Sequence, residues 1–160
     1  MTIDKIWMPL LLAYFIFQAI SDAKTGLVYS FWNNLSTVVC SFMAIIYLIL
    51  RQNSVSFMFL IDAIMIFVSC LILCHERKGK KIMQPADAKA IWQIFCISFI
   101  TLGNNGALYA TAFSVLFSSV SFMVYYRIIK RSSMHDRKPY FPFLAFGYGI
   151  VSVLSLGLYK

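Results

Sequence analysis

The sequence predicts an all-α polytopic membrane protein, a bundle of about six transmembrane helices in a single domain spanning residues 1–160. Three observations carry that expectation. The 160 residues are 61% hydrophobic and only 12% charged, where a soluble domain carries about 25% charged residues, and the mean hydropathy is +0.78. The apolar residues fall in long continuous runs, without the strict alternation of a membrane barrel. The polar residues collect in the short stretches between those runs, so the chain reads as integral to a membrane.

At 1.5 Å per residue, about 20 residues cover the apolar core of a bilayer. The first run, from about Ile6 to Ile20, is short for a span, but Trp7 at one end and Ser21-Asp22 at the other suit the two interfaces. A signal peptide fits it less well, because Asp4 and Lys5 cancel and QAISDA is a poor cleavage site. The second run goes from about Phe31 to Leu50 and the third from about Val55 to Cys74. The most polar interruption of the chain follows, His75 to Lys89. The fourth run goes from about Ala88 to Leu102, and Gly103-Asn104-Asn105-Gly106 has the composition of a turn. The fifth goes from about Ala107 to Tyr126, a basic loop follows, and the sixth goes from about Phe141 to Leu158.

This order sorts the basic residues by membrane face. Lys24, Arg77, Lys78, Lys80, Lys81, Lys89, Arg127, Lys130, Arg131, Arg137 and Lys138 share one face; Lys5, Arg51 and Lys160 take the other. Those eleven and three account for all 14. The positive-inside rule then predicts a multi-pass protein of the cytoplasmic membrane with both termini outside. It also puts Asp22 and Asp87 at the same, cytoplasmic, face. The net charge of +8 therefore reports topology first. The basic loops favour anionic membrane lipid, and no basic stretch carries the interleaved aromatics of a nucleic-acid binder.

Few residues suit chemistry. Cys40, Cys70, Cys74 and Cys96 all lie in apolar runs and read as small buried apolar groups. Cys70 and Cys74 share a helix face, but no second pair or neighbouring histidine completes a metal site. His75 and His135 lack ligand spacing to any partner, and no nucleophilic triad or phosphate loop is visible. No metal or cofactor is expected. Of the six acids, Asp4 is near the outer end, while Glu76 and Asp136 sit among basic residues. Asp62, within LIDAIM, lies inside the third span, where an acid is costly; it is either a functional site or a polar tie to an Asn, Ser or Thr of a neighbouring helix. Asp22 and Asp87 are either polar helix ends, with Asp87 as an N-terminal cap after Pro85, or a pair. Two close carboxylates cannot both ionise cheaply, so one would keep a proton while the other takes one from water. That is the aspartic-protease division of labour.

At these residues the chain resembles the type IV prepilin peptidase family, the membrane aspartyl proteases that include archaeal preflagellin peptidases. SDAKTGLVYSFWN is similar to the family pattern D-x-(K/R)-T-x-x-(I/V)-x-x-x-x-N through Asp22, Lys24, Thr25, Val28 and Asn33. QPADAKA is similar to G-x-(G/A)-D followed by (A/V)-K through Ala86, Asp87, Ala88 and Lys89. KPYFPFLAFGYG resembles the family's P-x-x-P-F ending through Pro139, Pro142, Phe143 and Gly147. Gln84 departs from the pattern, which has a glycine there.

The resemblance implies catalytic Asp22 and Asp87, with Lys24, Thr25, Ala86 and Lys89 in support. Lys24 and Lys89 would hold one carboxylate ionised or anchor the interface. The implied activity is endoproteolysis of a prepilin-like precursor (pilin, pseudopilin or archaellin) at the cytoplasmic membrane face. The leader of such a substrate is basic and its following segment apolar. A basic leader meets a basic face here, which shifts recognition onto the apolar helix and the extended backbone. The cytoplasmic cysteine-tetrad segment of the long bacterial enzymes has no counterpart, so the resemblance is to a short, peptidase-only form. Two other readings stay open: an inactive relative that binds pilin-like helices during assembly, and a small proton- or ion-coupled transporter centred on Asp62.

Overall fold

The computed structural model describes residues 6–25, 28–51, 55–75, 83–129 and 139–158. Helices make up 94% of it and no strand occurs among the described residues, so the all-α expectation holds. The elements are α1 (Trp7–Thr25), α2 (Ser30–Arg51), α3 (Val55–Cys74), α4 (Pro85–Met123), a π-helical turn (Val124–Ile129) and α5 (Phe141–Leu158). Three helical stretches are long and apolar enough to cross a membrane: Ser30–Leu50, Phe57–Cys74 and Pro85–Ile129. Phe141–Ser155 is apolar but shorter. Phe42, Ile49, Phe57, Met65 and Ile72 stand exposed along α2 and α3. In water they would form an apolar surface far larger than a soluble monomer carries.

The chain divides into two compact units: residues 1–29 with 109–160, and residues 30–108. In the first unit the buried residues of α1 are Met8, Leu11, Phe15, Gln18 and Asp22. Their spacing of three and four residues is one helix face. That face packs on α5, whose buried residues Phe141, Leu144, Ala145, Tyr148, Val151 and Ser152 repeat with the same period. Phe15 meets the rings of Phe141 and Tyr148 edge-on, at centroid distances of 5.3 and 5.5 Å. The Tyr148 hydroxyl reaches the Met8 carbonyl at 3.5 Å. Asp22 pairs with the start of α5 and Met8 with its middle, so the two helices run antiparallel.

On its other side α5 meets the part of α4 that belongs to this unit. A Cβ at Gly147 would lie 2.4 Å from the Ser114 carbonyl oxygen and 2.5 Å from Ser118 Oγ. Both serines are fully buried, and each hydroxyl donates to the carbonyl four residues back. Small residues thus let two backbones approach where there is no water to drive association.

In the second unit, residues 93–100 of α4 are all buried, the mark of a core helix. Phe59 of α3 stacks on Phe95 and lies 4.2 Å from Phe99, and Tyr47 of α2 meets Phe99 edge-on. The pairs Cys70–Ala88 and Asp62–Asn104 make α3 antiparallel to α4. The pairs Asn33–Ala86, Ser41–Trp92 and Tyr47–Phe99 make α2 parallel to it.

Two expectations are refined. The first apolar run was expected to end before Ser21-Asp22, yet α1 continues to Thr25 and carries Asp22 on its buried face. The turn expected over residues 103–106 is confined to Gly103, whose φ of 77° and ψ of −174° interrupt α4, while residues 104–106 are helical. A straight helix of 39 residues would be roughly 58 Å long, about twice the apolar core of a bilayer. Only glycine adopts that backbone conformation readily.

Gly147→Ala is expected to lower unfolding stability in detergent by about 1–3 kcal/mol, because its methyl enters a closed backbone contact. Gly103→Ala, at a position open to space, should lose about 1–3 kcal/mol through backbone strain alone. Chemical denaturation of the purified protein measures both.

Candidate active site

Asp22 is 7% exposed. Its place on the α1 seam brings the carboxylate under the first turn of α5, where Oδ2 accepts the Phe141 N–H at 3.1 Å. A helix has no intrahelical partner for its first N–H groups, and its N-terminus carries positive partial charge. The carboxylate therefore satisfies an orphan donor, and the helix end stabilises the negative charge. Phe141 lies in the third sequence motif, so that motif is joined to the aspartate of the first.

The same end of α5 is walled by aromatics. Phe122, Tyr126 and Phe143 have mutual centroid distances of 4.9 to 5.8 Å, and Tyr140 closes on Phe122 at 5.4 Å. Tyr126 is buried within the π-helical turn and in electrostatic reach of Asp22. One turn before Asp22, Gln18 is fully buried. Its Nε2 donates to the Tyr14 hydroxyl and its Oε1 accepts the Tyr29 N–H, tying the end of the α1–α2 connection back onto α1. An apolar groove of about 750 Å³ runs along α1 and α5. Ala23 and Pro142, the neighbours of Asp22 and Phe141, line one end, and Leu12 and Leu154 line it further along.

Asp87 is 6% exposed and belongs to the second unit. It stands at the third position of α4, with Gln84 in the cap position. Its Oδ2 accepts the Gln84 N–H at 3.3 Å, while the Gln84 carbonyl accepts the N–H groups of Asp87 and Ala88. This is the carboxylate half of a capping box, so Asp87 does the capping expected of it from inside the helix. Gln84 takes part in this box through its backbone N–H and carbonyl.

The supporting positions are distributed differently. Ala86 presents its carbonyl to Asn33 Nδ2 at 3.3 Å, which joins the last residue of the first motif to the residue before Asp87. Asn33 Oδ1 in turn accepts from Gln93 Nε2 at 2.8 Å. The Lys89 ammonium donates to Asn34 Oδ1, an anchor on α2. Lys24 is exposed on the last turn of α1. The Thr25 hydroxyl donates to the Ser21 carbonyl at 2.8 Å, closing that turn. Asp62 Oδ2 accepts from Asn104 Nδ2 at 2.9 Å, the polar tie to a neighbouring Asn that was one of its two readings. The cysteines are free thiols, and no group of three or more potential metal ligands occurs among the described residues. Asp4, Glu76, His135, Asp136 and the basic residues of the 76–82 and 130–138 stretches lie outside the described residues.

Sequence reasoning passed over Gln18, Gln93 and Tyr126. The first two carried a usable signal, since each is an amide inside an apolar run and Gln18 is in phase with the Met8–Leu11–Phe15 stripe. Tyr126 carried none, because a tyrosine at the end of a span is ordinary. No family model, curated protein or solved structure compared with the chain matches it.

Removing the donor from the Asp62–Asn104 pair should cost more than removing both partners. Asn104→Leu leaves a carboxylate in an apolar span without its donor, a loss of about 1–3 kcal/mol. The double variant Asp62→Leu/Asn104→Leu is expected to recover most of that loss in the same detergent unfolding assay.

Proposed function

We propose that the protein is a membrane-embedded aspartic endopeptidase that removes the basic leader of prepilin-like precursors at the cytoplasmic membrane face. The observation that carries this reading is the way the three motifs engage one another. Asp22 of the first caps the helix opened by the third, and Asn33 of the first grips the turn that presents Asp87 of the second.

Both carboxylates are buried and each is aimed by a helix N-terminus. In the proposed reaction the two act as a pair at the cytoplasmic face. The ionised carboxylate takes a proton from water as the water oxygen attacks the scissile carbonyl. The protonated one donates to that carbonyl oxygen; as the C–N bond breaks, the proton taken from water goes to the leaving amine and a hydroxyl of the intermediate returns a proton to the carboxylate that gave one. The peptide bond breaks to a new carboxyl and a new amine, and no redox partner is required. The groove that opens beside Asp22 is lined almost wholly by apolar side chains, which suits the apolar segment following the leader. With basic residues gathered at the proposed cytoplasmic face, that apolar segment and the extended backbone at the cleavage point, rather than leader charge, supply the recognition.

The test is cleavage of a co-expressed prepilin-like precursor, read as a gel shift, for the wild type and for Asp22→Asn and Asp87→Asn. Each single variant is expected to lose roughly 10²- to 10⁴-fold in rate, the usual contribution of a general acid or base. A wild type that cleaves no cognate precursor but still captures its apolar helix would make the chain an assembly factor. Full cleavage by either Asp variant would remove the paired mechanism, and Asp62 would become the next acid to test.

A further inference from the structure

We infer that Gln93 is a positioning residue for Asp87, acting through Asn33; this rests on the reading of Asp87 as one of the two working carboxylates. Gln93 lies six residues after Asp87, outside every motif, in the part of α4 that is buried on all sides. It is 0% exposed and Asn33 is 1% exposed. Gln93 Nε2 faces three acceptors: Asn33 Oδ1 at 2.8 Å, Thr37 Oγ1 at 2.8 Å and the Asn33 carbonyl at 3.2 Å. Of the two ends of the Gln93 amide only the NH₂ suits that cluster, because the Asn33 carbonyl can only accept and the Thr37 hydroxyl already donates to that carbonyl at 2.6 Å.

The consequence passes to Asn33. With its Oδ1 held by Gln93, the Asn33 amide has to turn its NH₂ the other way, and there it meets the Ala86 carbonyl. Ala86 is the residue before Asp87, in the turn where Asp87 Oδ2 accepts the Gln84 N–H and the Gln84 carbonyl accepts the N–H groups of Asp87 and Ala88. The relay therefore runs from the core of α4, through α2, to the turn that aims the carboxylate. Packing does not explain it. A leucine or methionine would fill the same volume, whereas Gln93 keeps its Oε1 buried without a hydrogen-bond partner, a desolvation loss that an apolar residue would avoid. What the amide adds over an apolar residue is the set of bonds at its other end.

The experiment uses the full chain in proteoliposomes. Gln93→Leu, Asn33→Leu and the double variant are assayed for cleavage kinetics on a prepilin-like precursor, and for amide hydrogen exchange in residues 84–88. Gln93→Leu is expected to lower kcat roughly tenfold to a hundredfold, the effect of a small misplacement of a reacting group. KM should change less than about threefold, because uniform substrate binding is untouched. The double variant should be no worse than the weaker single one, since both break one relay. Exchange at residues 84–88 should rise while that at 94–100 stays fixed. An unchanged kcat, additive losses, or unchanged exchange at 84–88 would overturn the inference. Should Gln93→Leu fail to fold, Gln93→Asn, whose shorter amide misses the Asn33 side chain, is held to the same outcomes. If the wild type cleaves nothing, the peptidase reading falls and exchange alone decides: faster exchange at 84–88 keeps the relay, and unchanged exchange ends it.

Discussion

The bond from the Phe141 N–H to Asp22 is the interaction around which the first unit is arranged. A carboxylate on the buried face of an apolar helix is expensive unless a donor meets it. The first N–H groups of a helix are equally expensive unless an acceptor meets them. The antiparallel packing of α1 on α5 brings the two needs together, because the α1 stripe from Met8 to Asp22 delivers its last residue to the first turn of α5. The rest of the seam serves that register: Phe15 between the rings of Phe141 and Tyr148, Leu12 against Gly149, and Gly147 against the serines of α4.

The second unit solves the same problem with side-chain amides. α4 is its core, and four hydrogen-bonded ties join it to its neighbours along its length: Ala86 to Asn33, Gln93 to Asn33 and Thr37, Trp92 to Ser41, and Asn104 to Asp62. These bonds pin α2 in parallel and α3 in antiparallel register, where apolar contacts alone would leave sliding cheap. Lipid competes as well as leucine for an apolar surface, so directional bonds do more to fix register in a membrane than in water. Gly103 interrupts α4 one residue before Asn104, the partner of Asp62.

Both working acids of the proposed mechanism sit where a helix begins, and each does a structural task there. The cap reading and the catalytic reading of Asp22 and Asp87 are therefore not rivals. The first N–H groups of a helix need an acceptor, and the bond that supplies one also fixes where the carboxylate oxygen points. Asp62 differs, since its amide partner occupies it within the span and leaves it outside the proposed reaction.

Composition and run length by themselves determined that the chain is helical and apolar enough for a membrane, because the bilayer fixes how many consecutive apolar residues a span needs. The spacing of Met8, Leu11, Phe15, Gln18 and Asp22 is a single helix face, but it counts as one only once α1 is known to run on past Ile20. The order of the motifs marked Asp22, Asn33 and Asp87 as residues to follow. Other features had no local signal. That α1 runs on through Asp22 depends on a donor more than a hundred residues away in the chain. That Gly103 rather than Gly106 makes the break is seen only in its backbone, with φ at 77°. That Gln93 sets the amide of Asn33, and Asn33 the turn before Asp87, depends on the parallel register of α2 and α4. Hydrogen bonds between distant residues are directional and short in range, and only the tertiary structure decides which donor a buried acceptor will meet.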